Sequence, residues 1–128
     1  MEKEEIIKYW KDTSENDFRT MKNLFATNDF CWSLFVGHLV IEKLLKAIYV
    51  KNIDENVPKM HNLLRLAEKA GIILNEQQKD SLDIVTTFNI SARYPDYKQN
   101  FYKKCTEKYT LENIETIKEL RLWLLKLI

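Results

Sequence analysis

The stretch HLVIEKLLKAIYV, residues 38–50, decides the fold of this chain. Its apolar residues follow helical spacing and cover more than one side of a helix. A helix that is apolar on several sides is surrounded by other helices, so this one is predicted to be central. We expect it to begin after Asn28 or Asp29, either of which is suited to cap its first N–H groups, and to end near Lys51.

The sequence before this stretch predicts a first helix over residues 3–26, because its apolar residues keep the same spacing. The apolar stripe weakens in the middle, where the polar residues Thr13, Ser14 and Asp17 take its place. We find no alternating apolar and polar stretch longer than a few residues, so the sequence predicts no half-buried strand.

A loop at residues 53–58 is expected to follow the central helix, and a short third helix is predicted over residues 59–70. Pro58 suits the first turn of that helix, since the N–H groups of a first turn have no partner within the helix. Gly71 is the type of residue that ends a helix in a left-handed conformation.

Asn75 and Gln78 form the pattern of a capping box and predict the start of a fourth helix. That helix is expected to end near Arg93, because Pro95 disfavours the helical conformation in the residue before it. Residues 94–109 are predicted to be a long connection.

Thr110 is the predicted cap of a fifth helix. The apolar residues in helical register behind it are Leu111, Ile114, Ile117, Leu120, Leu124 and Leu127. The chain is therefore predicted to be all-α, with five helices, and its 128 residues are the usual size of one domain over residues 1–128.

Composition limits the classes of function. The formal net charge is +1, so the chain as a whole does not attract nucleic acid or acidic membranes. The N-terminal residues are acidic and lack the apolar core of a signal peptide, and no apolar run is long enough to span a membrane. Cys31 and Cys105 have no metal-ligand spacing and are interpreted as reduced thiols, which favours a cytoplasmic protein.

Glu42 and Lys46 are four residues apart on the central helix and can pair. A glutamate on such a helix must be paired, because an isolated buried carboxylate is too costly. Glu42 therefore either joins a structural hydrogen-bond network or orients Arg93 or a ligand. His38 and His61 are each interpreted as packed or hydrogen-bonded residues, and no metal site is predicted, although Glu42 and Asp17 could supply oxygen ligands.

Residues 93–109, RYPDYKQNFYKKCTEKY, combine basic and aromatic side chains. Aromatic rings can stack on nucleotide bases while lysine and arginine contact phosphates. The alternative interpretation is a solvated basic loop tethered by its aromatic residues. A P-loop or dinucleotide-binding site is excluded, because the sequence has no glycine-rich phosphate loop.

Three motifs in this order resemble the HEPN domain, named for higher eukaryotes and prokaryotes nucleotide-binding. The motifs are HLVIEKLLKAIYV, VPKMHNLLRLAEKAGI and FNISARYPDYK, preceded by Trp10 and Asp17. The resemblance covers nearly the whole chain and implies an antiparallel helical bundle that forms a homodimer. It also implies a minimal nucleotidyltransferase as partner, in some pairs as the antitoxin of a HEPN toxin.

Some HEPN proteins are metal-independent ribonucleases with an arginine and then a histidine near the end of the fourth helix. By this resemblance Arg93 occupies the arginine position, but no histidine follows it in the sequence. The missing histidine favours a protein that is not an enzyme. If the chain is a ribonuclease, Arg93 would stabilise the phosphate and His38 or His61 would act as the base.

The favoured hypothesis is a non-catalytic HEPN protein that binds a nucleotide such as ATP, an RNA, or a nucleotidyltransferase partner. Arg93 and Lys98 are predicted to contact phosphate, and Tyr94 or Tyr97 to stack on the base. Glu42 and Lys46 belong to the same predicted site. No other cofactor is expected.

The first alternative is a ribonuclease toxin with an altered active site. The second is a structural dimeric scaffold for a nucleotidyltransferase. In the scaffold hypothesis the candidate interface residues are Trp32, Trp123, Leu124 and Leu127.

Overall fold

The computed structural model describes residues 2–93 and 95–128, and the side chains of these residues except 92–98. Within these residues the chain forms six helices and no strand, which confirms the all-α prediction with one helix more than expected. The helices are α1 (Lys3–Ala26), α2 (Phe30–Asn52), α3 (Leu63–Lys69), α4 (Glu76–Arg93), α5 (Pro95–Lys104) and α6 (Glu107–Leu125). No helix in the described part of the chain is long and apolar enough to cross a membrane.

Helix α2 is the centre of the antiparallel bundle, as its apolar residues predict, and it packs against all five other helices. Apolar side chains on several sides of α2 are buried because helices surround it. The largest fully buried side chains are Met21, Leu34, Ile41, Leu44, Leu45, Ile48, Leu63, Leu66, Leu82, Phe88, Ile117 and Leu124.

Gly37 allows α2 and α6 to approach each other closely. A Cβ atom at this position would lie 2.5 Å from Cδ1 of Ile117 and 3.1 Å from the sulfur of Met21. Since neither distance leaves room for a methyl group, a side chain here would force its neighbours to move.

The turn between α1 and α2 corrects the predicted cap of α2. Asn28 has a positive φ of 65° and ends α1, with its N–H bound to the carbonyl of Phe25 and the N–H of Asp29 bound to that of Leu24. Asp29 precedes α2 but makes no side-chain cap bond, because its carboxylate accepts a hydrogen bond from the Thr27 hydroxyl.

The third helix begins later than predicted. It starts at Leu63 instead of residue 59, because the Asn62 side chain caps it by accepting from the N–H of Arg65. Pro58 and His61 therefore lie outside the helix. Gly71, with a φ of 79°, ends α3 as predicted.

The predicted capping box of α4 is confirmed. The N–H of Asn75 donates to the Gln78 side chain at 2.9 Å, and the N–H of Gln78 donates to the Asn75 side chain at 2.8 Å. Helix α4 also ends at Arg93, as the sequence predicts.

The segment 94–109 is not the predicted connection, because α5 begins at Pro95 within it. A proline fits the first position of a helix, where its missing N–H costs nothing. The last helix is likewise capped earlier than predicted. Thr106 accepts from the N–H of Tyr109, while Thr110 is buried one turn inside α6.

Candidate functional site

The candidate site is a polar group that we name the Glu42 cluster: His38, Glu42 and Lys46 of α2, His61 of the segment before α3, and Trp10 of α1. His38, Glu42 and Lys46 occupy successive turns of α2, so they share one side of that helix. His61 reaches them from the non-helical segment before α3. The first residue of α3, Leu63, contacts α4 by donating its N–H to the Thr86 hydroxyl at 3.0 Å.

Glu42 is buried, and both oxygens of its carboxylate have partners. Oε1 lies 2.6 Å from Nδ1 of His61, and Oε2 accepts a hydrogen bond from Nζ of Lys46 at 3.4 Å. The predicted Glu42–Lys46 pair is thus present, and His61 is an additional partner. These contacts offset the cost of burying the carboxylate.

The contact with Glu42 determines the tautomer of His61. A carboxylate accepts hydrogen bonds, so Nδ1 of His61 carries a proton and Nε2 is left for another partner. The side chain of His61 is 56% exposed, which places this imidazole at the outer edge of the cluster.

His38 is the interior member of the cluster and has a different state. Its Nε2–H donates to the backbone carbonyl of His61 at 3.1 Å, and Nδ1 has no hydrogen-bond partner among the described residues. Burial lowers the pKa of His38, although the His61 carbonyl and the Glu42 carboxylate oppose this shift. His38 is therefore neutral and enclosed, which suits packing better than proton transfer to a substrate.

Within the cluster, Lys46 contacts Trp10 of α1, and Trp10 in turn pairs with the neighbouring Tyr9 ring. Nζ of Lys46 lies 5.1 Å from the centre of the Trp10 ring, a distance typical of a cation–π contact. The rings of Trp10 and the exposed Tyr9 meet edge to face, with centres 5.2 Å apart. Sequence reasoning missed this arrangement, because helical spacing marks Trp10 as apolar and does not show which side chain of α2 it meets.

A model of the HEPN domain family matches residues 7–127 of the chain. The chain belongs to the HEPN domain family. The resemblance predicted from the three motifs is confirmed, and the Glu42 cluster joins the first two of these motifs through Glu42 and His61.

This HEPN fold is similar to a solved structure. The crystal structure of TT1696 from Thermus thermophilus superimposes with a TM-score of 0.82 and 15% sequence identity, over 95% of this chain and 98% of that chain. At this identity the likeness shows the fold alone. No curated protein matches the chain.

The other predicted residues of the HEPN site lie at the end of α4 and beyond it. The side chains of Arg93, Tyr94, Tyr97 and Lys98 are outside the described residues, so the expected contact between Glu42 and Arg93 stays a prediction. Among the described residues, no group of three or more His, Cys, Asp or Glu is placed to hold a metal ion. Asp17 pairs instead with Lys43, whose Nζ lies 2.6 Å from its carboxylate.

The candidate interface residues of this HEPN chain differ in their exposure to solvent. Trp32 is exposed and Trp123 and Leu127 are half-buried, whereas Leu124 is fully buried. The prediction for Leu124 was wrong, because in this register it faces the core of its own chain.

Proposed function

We propose that this HEPN protein is a non-catalytic module that binds a nucleotide beside the Glu42 cluster. The observation that carries the proposal is that one buried carboxylate holds two donor side chains, His61 and Lys46, next to an aromatic pair. Such an arrangement reduces the conformational freedom that these donors lose when a ligand binds.

The phosphates of the nucleotide are assigned to Lys46 and His61. Lys46 has a hydrogen bond of 3.4 Å to Glu42, which is long enough to be exchanged for a shorter one to a phosphate oxygen. His61 can contact a phosphate only through Nε2, because Glu42 occupies Nδ1. The contact requires the doubly protonated ring, in which Nε2 is a donor.

The base is assigned to the aromatic pair of α1. Trp10 is half-buried beside Lys46, and Tyr9 is exposed next to it. Aromatic faces accept every base, so this contact favours nucleotides as a class over one particular base. By the HEPN resemblance, Arg93, Tyr94, Tyr97 and Lys98 supply the remaining contacts to phosphate and base. ATP and short RNA are the ligands proposed.

A non-catalytic role is favoured by the distribution of histidines. The sequence has no histidine after His61, so the residue expected a few positions after Arg93 is missing. His38 is enclosed and its pKa is lowered by burial, so it is a poor replacement.

The proposed partners also follow from the HEPN resemblance. They are a second copy of this chain and a minimal nucleotidyltransferase, with which the chain would form a toxin–antitoxin pair. The exposed Trp32 and half-buried Trp123 are the side chains proposed for these contacts.

Isothermal titration calorimetry of ATP, GTP and a short single-stranded RNA tests nucleotide binding. Lys46→Gln keeps a hydrogen-bonding group beside Glu42 but removes the charge, so we expect affinity to fall by about ten-fold or more. Trp10→Leu removes the stacking surface and should weaken binding to a similar extent.

Lys118→Gln is the matched control, since Lys118 also pairs with a glutamate at 3.4 Å but lies on α6. It should bind as the unmodified protein does. Absence of binding for all three ligands, or equal losses in Lys46→Gln and Lys118→Gln, would refute the proposal.

A metal-independent ribonuclease is the second candidate, and one observation favours it. The short Glu42–His61 contact leaves Nε2 of a half-exposed imidazole oriented for proton transfer, which is how carboxylates position catalytic histidines. Incubation of the purified protein with RNA would then give cleavage that His61→Ala and Arg93→Ala abolish. Intact RNA after long incubation removes this candidate.

A further inference from the structure

The two cysteines of the chain, which sequence reasoning treated as separate thiols, meet in the fold. Cys31 lies in the first turn of α2, and Cys105 follows the last residue of α5. Both are buried and line the same cavity, and the Cys31 side chain lies close enough to Cys105 to raise its pKa. Neighbouring thiols on one cavity can reach bonding distance through side-chain rotation.

The position of Cys105 is fixed by the backbone around it. Its N–H donates to the carbonyl of Phe101 at 3.0 Å, and the following residue, Thr106, caps α6. Cys31 is held within α2, so both sulfur atoms extend from defined parts of the backbone. The pair lies where the start of α2 meets the junction of α5 and α6.

A cavity of about 410 Å³ gives small molecules a route to the thiols. Both cysteines line it, together with the exposed side chains of Trp32 and Tyr102. The cavity is much larger than one molecule of hydrogen peroxide, which has two heavy atoms where water, with a share of about 30 Å³ in the liquid, has one.

We propose that Cys31 and Cys105 are a redox modification site, at which hydrogen peroxide converts the thiol pair into an intramolecular disulfide. The bond would tie the start of α2 to the junction of α5 and α6. This inference does not depend on the proposed nucleotide-binding function.

The reaction balances with one molecule of peroxide. The sulfur of one cysteine attacks a peroxide oxygen, the O–O bond breaks, and a sulfenic acid and water form. The second sulfur attacks the sulfenic sulfur, so the S–S bond forms and the S–O bond breaks. The leaving hydroxyl of the sulfenic acid takes the proton of the second thiol and departs as a second water. The two thiols lose two electrons, which the peroxide accepts.

The environment of Cys105 indicates the order of the two steps. Burial, and then the interaction with the neighbouring Cys31 side chain, raise the pKa of Cys105, so little of this thiol is ionised at neutral pH. A protonated thiol is a weak first nucleophile. In the proposed order, therefore, peroxide oxidises Cys31 first and Cys105 resolves the sulfenic acid.

Mass spectrometry of the full-length folded protein tests the proposal. The dilute protein is treated with hydrogen peroxide, unfolded, and alkylated, with glutathione in a parallel tube as a fully accessible thiol. We expect the chain to lose two hydrogen atoms and to take up no alkyl group. An unreduced tryptic digest should contain peptide 23–43 joined to peptide 105–108, and reduction should separate them.

The single variants Cys31→Ser and Cys105→Ser distinguish the two roles. Cys105→Ser should accumulate a Cys31 sulfenic acid that dimedone traps, whereas Cys31→Ser should keep its thiol for about ten-fold longer than Cys105→Ser does. Two free thiols in the unmodified protein after glutathione is fully oxidised would overturn the proposal. Disulfide-linked dimers without the internal bond would overturn it as well.

Discussion

Two ion pairs with the same helical spacing lie in contrasting regions of the molecule. Lys8 and Asp12 pair on the outer surface of α1 at 2.5 Å, with side chains that are 76% and 60% exposed. Lys46 and Glu42 pair on the inner side of α2 at 3.4 Å, with side chains that are 15% and 5% exposed. The shorter Lys8–Asp12 pair is exposed to solvent, and the longer Lys46–Glu42 pair is almost fully shielded from it.

The difference shows that environment matters more than distance for these pairs. Water and salt screen an exposed pair, and holding two mobile side chains together costs entropy. A buried carboxylate has lost its hydration, so each remaining hydrogen bond offsets a large cost. The Glu42 cluster should therefore dominate the response to substitution, and the surface pair should contribute little.

Replacement of Glu42 is the substitution expected to have the largest effect. Glu42→Ala removes the acceptor of two hydrogen bonds, so the free energy of unfolding should fall by about 1.5–3 kcal/mol. The loss stays below that of a fully buried pair, because the half-exposed His61 can turn into water. Urea unfolding measures it, and a loss below about 0.5 kcal/mol would place Glu42 with the surface pairs.

The pH dependence of stability gives a second test of the buried region, because it depends on the enclosed His38 of the Glu42 cluster. The folded-state pKa of His38 is lowered from 6.5, so the unfolded chain takes up the proton first as the pH falls. Stability should be unaffected by His38 above pH 6.5 and should decrease below it, with a slope approaching about 1.4 kcal/mol per pH unit. The charged or titratable groups that act on His38 are Glu42, His61 and Lys46.

Urea unfolding at several pH values between 7.5 and 5 measures this slope, where the range is set by the ordinary histidine value of about 6.5. His38→Gln should remove most of the decrease, and His61→Gln should retain it. An equal slope in the unmodified protein and in His38→Gln would contradict the assignment of the decrease to His38.

Ser14 provides a smaller test in the interior. Its buried hydroxyl donates to the carbonyl of Val40 at 2.8 Å and so joins α1 to α2. Ser14→Ala should lower the free energy of unfolding by about 0.5–1.5 kcal/mol. Thr20→Ala on the exposed side of α1 is the matched control, since the Thr20 hydroxyl donates to the Asn16 carbonyl of its own helix. It should be neutral or slightly stabilising, because alanine is the better helix former.

Substitution in the exposed Lys8–Asp12 pair should have the smallest effect on stability. Asp12→Ala removes the partner of Lys8, and its effect on the free energy of unfolding should not exceed about 0.5 kcal/mol. Most of that effect should disappear in 1 M salt, at which the screening length is about 3 Å. A loss as large as that of Glu42→Ala would show that burial does not separate the two regions.

Local signals in the sequence were sufficient for much of the fold. The Asn75–Gln78 capping box and the helix end at Gly71 depend on neighbouring residues, so they could be predicted without tertiary information. The burial of Glu42 followed from the apolar residues around it. Ser14 marked a weak point in an apolar stripe, and the structure explains it as a hydrogen bond to α2.

The helix boundaries that were predicted wrongly lie where one residue type can play two structural roles. Proline both ends helices and suits their first position, and Pro95 has the second role. Thr106 and Thr110 are both possible caps, and only packing of Thr110 into the core decides between them. Two contacts join parts of the chain that are distant in sequence, so no local pattern could predict them. They are the proximity of Cys31 to Cys105 and the contact of Lys46 with Trp10.

The most direct test of the Glu42 cluster is the tautomeric state of its two histidines, measured by long-range ¹H–¹⁵N NMR of the imidazole rings. The chain has two histidines, so each signal can be assigned with one substitution. The geometry predicts a proton on Nδ1 of His61, held by Glu42, and a proton on Nε2 only of His38, held by the carbonyl of His61. An unprotonated Nδ1 on His61 would contradict the claim that Glu42 positions the His61 ring.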